Sequence, residues 1–170
     1  YDIYLDETVA LEAFKAGTVD FREEFIARNW ASAYEFPAVK EGKVIKRRIV
    51  NSVPTGMQSF VINARRAKFS DRRVREAVGL TLDYEWMNQT LFFNAYDRGR
   101  SYFNNTEFEA KGLPAASEVA LLKTFAAKLP PALLTSEYTV PTTDGSGIAR
   151  ANLIRAQQLL NDAGWVMKDG

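Results

Sequence analysis

The chain has 170 residues, about the size of one domain, with 46% hydrophobic and 25% charged residues and a formal net charge of +1. Cysteine and histidine are both absent, which excludes disulfides, thiolate metal sites and a Cys nucleophile, and removes the commonest general base and transition-metal ligand. No run of eighteen apolar residues and no signal-peptide pattern occurs, and a chain that opens on YDIYLDETVA without a Met reads as a piece of a longer protein.

In chain order, YDIYL reads as a strand, Asp6 as the cap of a helix with Glu7 in its first turn, and Gly17 as its stop. TVDF follows as a short strand, so the first twenty-one residues read as β-α-β. EEFIARNWASAYEF is a helix with Ile26, Trp30 and Ala33 on one face, ended by Pro37. KVIKRRIVNSV and MQSFVINAR, joined by the PTG turn, read as a pair of antiparallel strands. Ser70 or Asp71 then caps a long helix whose stripe is Val74, Ala77, Val78, Leu82, Met87 and Leu91. Residues 94–116 have no period and form a long irregular loop rich in Asn and aromatics. Ser117 opens a helix that ends at Pro130-Pro131, and the last helix carries Leu153, Ala156, Leu160 and Ala163, with Gly164 as its cap. These elements predict an α/β chain with a mixed sheet flanked by helices.

Charge is uneven along this order. Residues 40–75 hold eleven basic side chains against Glu41 and Asp71, an asymmetry that fits an acidic partner. One reading is therefore a basic-faced nucleic-acid-binding domain using residues 43–75. The other takes RRAKFSDRRVREAV as a helix start whose arginines face water while Val74, Ala77 and Val78 face inward. Catalytic patterns are lacking: no G-x-S-x-G elbow and no Lys-Ser/Thr after GSG occur, and Asp83 with Glu85 is a carboxylate pair of the kind usually found on a solvated helix face. The aromatics Tyr96, Tyr102, Phe103 and Phe108 either line a ligand cleft or anchor their own loop.

Three segments, YDIYLDETVALEAFKAGTVDF, FVINARRAKFSDRRVREAVGLTLDYEWM and RAQQLLNDAGW, resemble in order and spacing the family 5 extracellular solute-binding proteins of ABC importers. The middle one carries most of the likeness, with Asn63, Phe69, Asp71, Arg73-Val74-Arg75, Ala77 and Asp83. LFFNAYDRGRSYFNNTEFEAKGLP is similar to the Yej-type branch, associated with microcin C-like and peptide uptake. The resemblance implies that residues 1–170 form a single α/β lobe, one part of a bilobal type II periplasmic-binding-protein fold. It implies a monomer without catalysis, cofactor or metal, periplasmic or lipid-anchored at the outer face of the cytoplasmic membrane. Its partners would be a peptide or peptide-like ligand, held with the help of the missing lobe, and the permease subunits, with no nucleic acid. Placement in the resembled fold points to Met57, Gln58 and Asn63, on TGMQSFVIN, and to Tyr102 and Phe103, in the branch-specific loop, as ligand contacts. Asp71, Arg73 and Arg75 match the family motif as structural residues, near a surface suited to docking on the permease.

Overall fold

The computed structural model describes residues 1–168. Its helices are, in chain order, α1 (Glu7–Lys15), α2 (Ala27–Ser32), α3 (Pro37–Lys40), α4 (Ala67–Ser70), α5 (Arg72–Leu80), α6 (Tyr84–Thr90), α7 (Ala116–Lys123) and α8 (Arg150–Asp162), with 3-10 turns at Ala126–Lys128 and Pro131–Leu134. No strand occurs among the described residues, which overturns the mixed sheet expected from the sequence. The β-rich segments are present but unpaired, and Ile3, Leu5, Ile45, Ile49, Phe60 and Val61 stay exposed. A helix closes its hydrogen bonds within itself, whereas a strand exists only through a neighbour's N–H and C=O groups. Strand propensity measures fit to a half-buried pleated surface, and no such surface forms around these segments.

Helices follow the sequence where their caps are local. Asp6 accepts from the amides of Val9 (3.1 Å) and Thr8 (2.8 Å), which hold its carboxyl below the usual range. At the other end of α1, Gly17 takes φ +77°, and the Gly17 and Thr18 amides reach back to Phe14 and Ala13, a Schellman closure. Elsewhere polar side chains shorten what periodicity predicts. Glu24 does not enter α2, because its carboxylate accepts the Ile26 amide at 2.9 Å and the Tyr34 hydroxyl at 2.8 Å. Pro37 opens α3 at the one position where its missing N–H costs nothing. The long helix predicted after Asp71 breaks in two: Thr81 turns its hydroxyl onto the Val78 carbonyl, and Asp83 accepts the Trp86 amide to start α6. α7 is capped by Glu118 reaching back to the Ala115 amide (2.6 Å), not by Ser117, and it stops at Lys123, well short of Pro130.

The chain divides into two compact units, Tyr1–Val50 with Met87–Tyr96, and Asn51–Trp86 with Asp97 onward. In the first, Leu11 and Phe14 of α1 pack with Tyr34, and Val19, Ala33, Phe36 and Val44 close around them. The Phe14 and Phe36 rings meet edge-on at 6.4 Å. Beside this core Arg22 bridges Glu7 (2.8 Å) and Glu24 (3.4 Å), and the Glu24 side chain is only 3% exposed. Burial, reinforced by the bond to Glu24, pushes the Tyr34 hydroxyl up to about 12.

In the second unit α5 packs on α8 through Ala77, Leu80, Ala156 and Leu159, with Leu160 against them. Ala77 is 1% exposed; alanines at this crossing let the two backbones approach. Val74 is buried as expected, but Val78 is exposed and Leu80 takes the inward position. Asp71 caps α5 by accepting the Arg73 amide (2.8 Å), and Arg73 also donates to the Asp162 carbonyl (2.6 Å) at the end of α8. The start of one helix is thus tied to the finish of the other, with a cation where a helix C-terminus favours it. α8 ends in the same closure as α1, around Gly164 at φ +86°. No helix of the described residues is long and apolar enough to cross a membrane.

Two outcomes follow from this packing. Leu159→Ala removes a core residue facing α5 and lowers unfolding free energy by about 2–5 kcal/mol, read from a denaturant titration. The bonds from Arg73 hold the Asp71 carboxyl at about 2, below its ordinary 3.8. Its cap is therefore fully present above about pH 4 and is lost as pH falls toward 2, so circular dichroism between pH 5 and pH 2 shows a helicity loss that Asp71→Asn reduces.

Candidate functional site

The second unit carries a loop whose conformation is fixed by short-range polar contacts. Ser101 opens it, donating its amide to Asn104 Oδ1 (3.2 Å) and accepting the Phe103 amide on its hydroxyl (3.1 Å). Thr106 donates its hydroxyl to the Phe103 carbonyl (2.8 Å) and accepts the Phe108 amide (3.1 Å). Asn105 sits at φ +61°, a left-handed position that Asn tolerates better than most residues. Its Nδ2 donates to the Val53 carbonyl at 2.7 Å, while the Thr55 amide donates to the Asn104 carbonyl at 3.1 Å. The loop is therefore stitched to the turn at 53–55. Close approach at its neck suits Gly99, where a Cβ would stand 3.1 Å from Asn104 Nδ2.

With its backbone so occupied, the loop turns aromatic rings outward. Tyr102 is 79% exposed, and Phe103 and Phe108, both largely exposed, meet at 6.3 Å in a tilted, edge-type pair. Of the residues singled out from the sequence, Tyr102 and Phe103 lie on this loop. Met57, half-buried, and Gln58, exposed, follow the turn stitched to it. Asn63 stands apart: its Oδ1 accepts the Arg65 amide and its carbonyl the Arg66 amide, each at 3.1 Å, turning the chain into α4. Asn105 and Glu109, which hold the loop, were not singled out. The Asn104-Asn105 pair was their signal, since Asn favours left-handed turn positions.

Other candidate chemistry is absorbed by structure. The Thr143 hydroxyl donates to Asp83 and its amide to Glu85 (3.1 Å), and Arg98 lies 3.8 Å from Glu85. The two carboxylates thus anchor the 141–143 segment. Burial, with Asp97 nearby, pushes the Tyr84 hydroxyl up. Basic residues are spent in a similar way. Lys46 lies 4.4 Å over the Trp30 ring and donates to the Trp30 carbonyl, and Arg75 donates to the Phe69 and Ser70 carbonyls, each at 2.8 Å. They also fall into separate units, residues 40–48 in the first and 65–75 in the second. Two open cavities, of about 390 Å³ beside Thr142–Asp144 and the start of α8, and about 350 Å³ among Phe25, Ile26, Phe92 and Tyr96, contain none of the five residues. Among the described residues no group of three or more acidic side chains could hold a metal ion.

Comparison with known proteins matches the family described as bacterial extracellular solute-binding proteins, family 5 Middle, over residues 1–170. YejA of Escherichia coli (strain K12) is 46% identical over 168 residues, covering 99% of this chain and 28% of that protein. A probable peptide-binding protein YejA of Agrobacterium fabrum (strain C58) is 37% identical over 170 residues, with the same coverage of each. A peptidoglycan-binding protein YepA of the same organism is 39% identical over 175 residues, covering 98% of this chain and 28% of that protein. The chain therefore spans a little over a quarter of the length of the curated relatives it matches.

For the loop itself, Asn105→Ala lowers unfolding free energy by about 1–3 kcal/mol, through left-handed strain and the lost bond to Val53. Asn105→Gly recovers the strain part only, so chemical denaturation places it between wild type and Ala.

Proposed function

Since the chain belongs to the family 5 bacterial extracellular solute-binding proteins, we propose that its full-length protein captures oligopeptides or peptide-like solutes in the periplasm and delivers them to the permease of an ABC importer. The observation that carries this reading is the family match across all 170 residues, with relatives that include one named for peptide binding and one for peptidoglycan binding. A peptide, free or as part of a peptidoglycan fragment, is the chemistry those two names share.

The exposed surface of the second unit supports a binding role without catalysis. Tyr102 and Phe103 supply apolar faces and, with Phe108, a stacking platform; Met57 adapts its shape to an irregular side chain, and the Gln58 amide donates to or accepts from peptide groups. Asn63 commits its Oδ1 to the turn into α4 and lies outside this surface. A site of this type works without cofactor or metal, and a monomer suffices to present the filled site to the permease. Ligand would be held between this surface and residues of the full-length protein outside the chain, closing as contacts to both are made.

The test is mass spectrometry of ligand released from full-length protein purified without denaturation, followed by calorimetry with the peptides found. Peptide-containing molecules are expected, and a free sugar or a metal complex in their place overturns the reading. Tyr102→Ala combined with Phe103→Ala weakens the calorimetric affinity by about tenfold, the scale of lost aromatic contact.

A further inference from the structure

Glu109 presents nothing to a ligand, yet it touches both ends and the middle of the aromatic loop. Its Oε1 accepts from Arg100 Nε at 3.2 Å, and its Oε2 accepts from the Asn105 amide at 3.2 Å and lies 3.4 Å from Lys111 Nζ. The side chain is 11% exposed, and both carboxylate oxygens are occupied by these three partners. We propose that Glu109 is the positioning residue of the binding surface, a clasp that fixes where Tyr102, Phe103 and Phe108 stand toward a ligand. The inference rests on the reading of this loop as a ligand surface.

The path from carboxylate to rings is short. Glu109 holds the Asn105 N–H, and Asn105 in its left-handed turn hands its side chain to the Val53 carbonyl. Asn104 beside it ties Ser101 and Thr55, and the ring-bearing residues 102, 103 and 108 lie inside this closure. Released from Glu109, Asn105 itself keeps only the Val53 bond against its left-handed strain. Both partners that neutralise the carboxylate come from the loop's ends, Arg100 before the rings and Lys111 after them. A glutamine keeps the shape but loses the charge and one acceptor, weakening all three contacts at once.

Charge state gives a signature that a merely space-filling residue lacks. Burial works against the Glu109 charge, but the bonds from Arg100, Asn105 and Lys111 outweigh it and hold the carboxyl below its ordinary 4.5. Because the folded value is depressed, the clasp is complete above about pH 4.5 and is lost as pH falls through the lowered value.

The experiment compares wild type, Glu109→Gln and Tyr102→Ala in the full-length protein, by hydrogen exchange of amides 101–109 and by calorimetry with the tripeptide trialanine. Exchange at Asn105 and its neighbours is expected to speed up tenfold or more in Glu109→Gln, and trialanine affinity to fall several-fold. The wild-type advantage over Glu109→Gln is expected to shrink as pH falls below 4.5 and through the lowered value of the Glu109 carboxyl. Exchange rates within twofold of wild type overturn the clasp. Faster exchange with unchanged affinity, while Tyr102→Ala still weakens binding, overturns the positioning role. If wild type binds no trialanine, the positioning role falls together with the peptide reading, and a persisting exchange difference shows that the fault lies in the ligand assignment and not in the clasp.

Discussion

The crossing of α5 and α8 is the contact on which the second unit depends. Two alanines and two leucines meet there, and little else in that unit is fully buried. A core this small tolerates few losses, so its geometry is reinforced by polar groups at its rim. Arg73 joins the cap of α5 to the last carbonyl of α8, which sets how far the helices can slide. Thr143, held by Asp83 and Glu85, fixes the segment that leads toward α8.

The same economy governs the aromatic loop. It has almost no buried apolar surface of its own, so side chains of Ser, Thr, Asn and Glu complete the backbone pairing that a helix or sheet would supply. The rings Tyr102, Phe103 and Phe108 are left facing solvent.

Charge was the feature most easily misread. Eleven basic residues in a short span suggest a phosphate surface, but several of them are spent on carbonyls, on a carboxylate and on an aromatic ring within the chain. What FSDRRVREAV encodes is a cap, a helix and a tie to a distant helix end.

The sequence by itself determined the features whose causes lie within a few residues: the Asp6 cap, a cap at Ser70 or Asp71, the glycine closures after α1 and α8, the inward faces of Ala77 and Ala156, and, through its motifs, the family. It misjudged what depends on partners distant in sequence. Segments with strand composition remain unpaired because a ladder needs a neighbour that composition does not name. Val78 stays exposed while Leu80 joins Ala77 against α8, a choice within the stripe that the packing of the two helices makes. Of the site, the aromatics were visible as residue types, while the stitching of residues 53–55 to 104–105 and the Glu109 clasp were not, since neither hydrogen bonds across fifty residues nor a left-handed turn leaves a periodic trace. Only the tertiary structure decided those, because they are set by which backbone groups lack partners once the chain is folded.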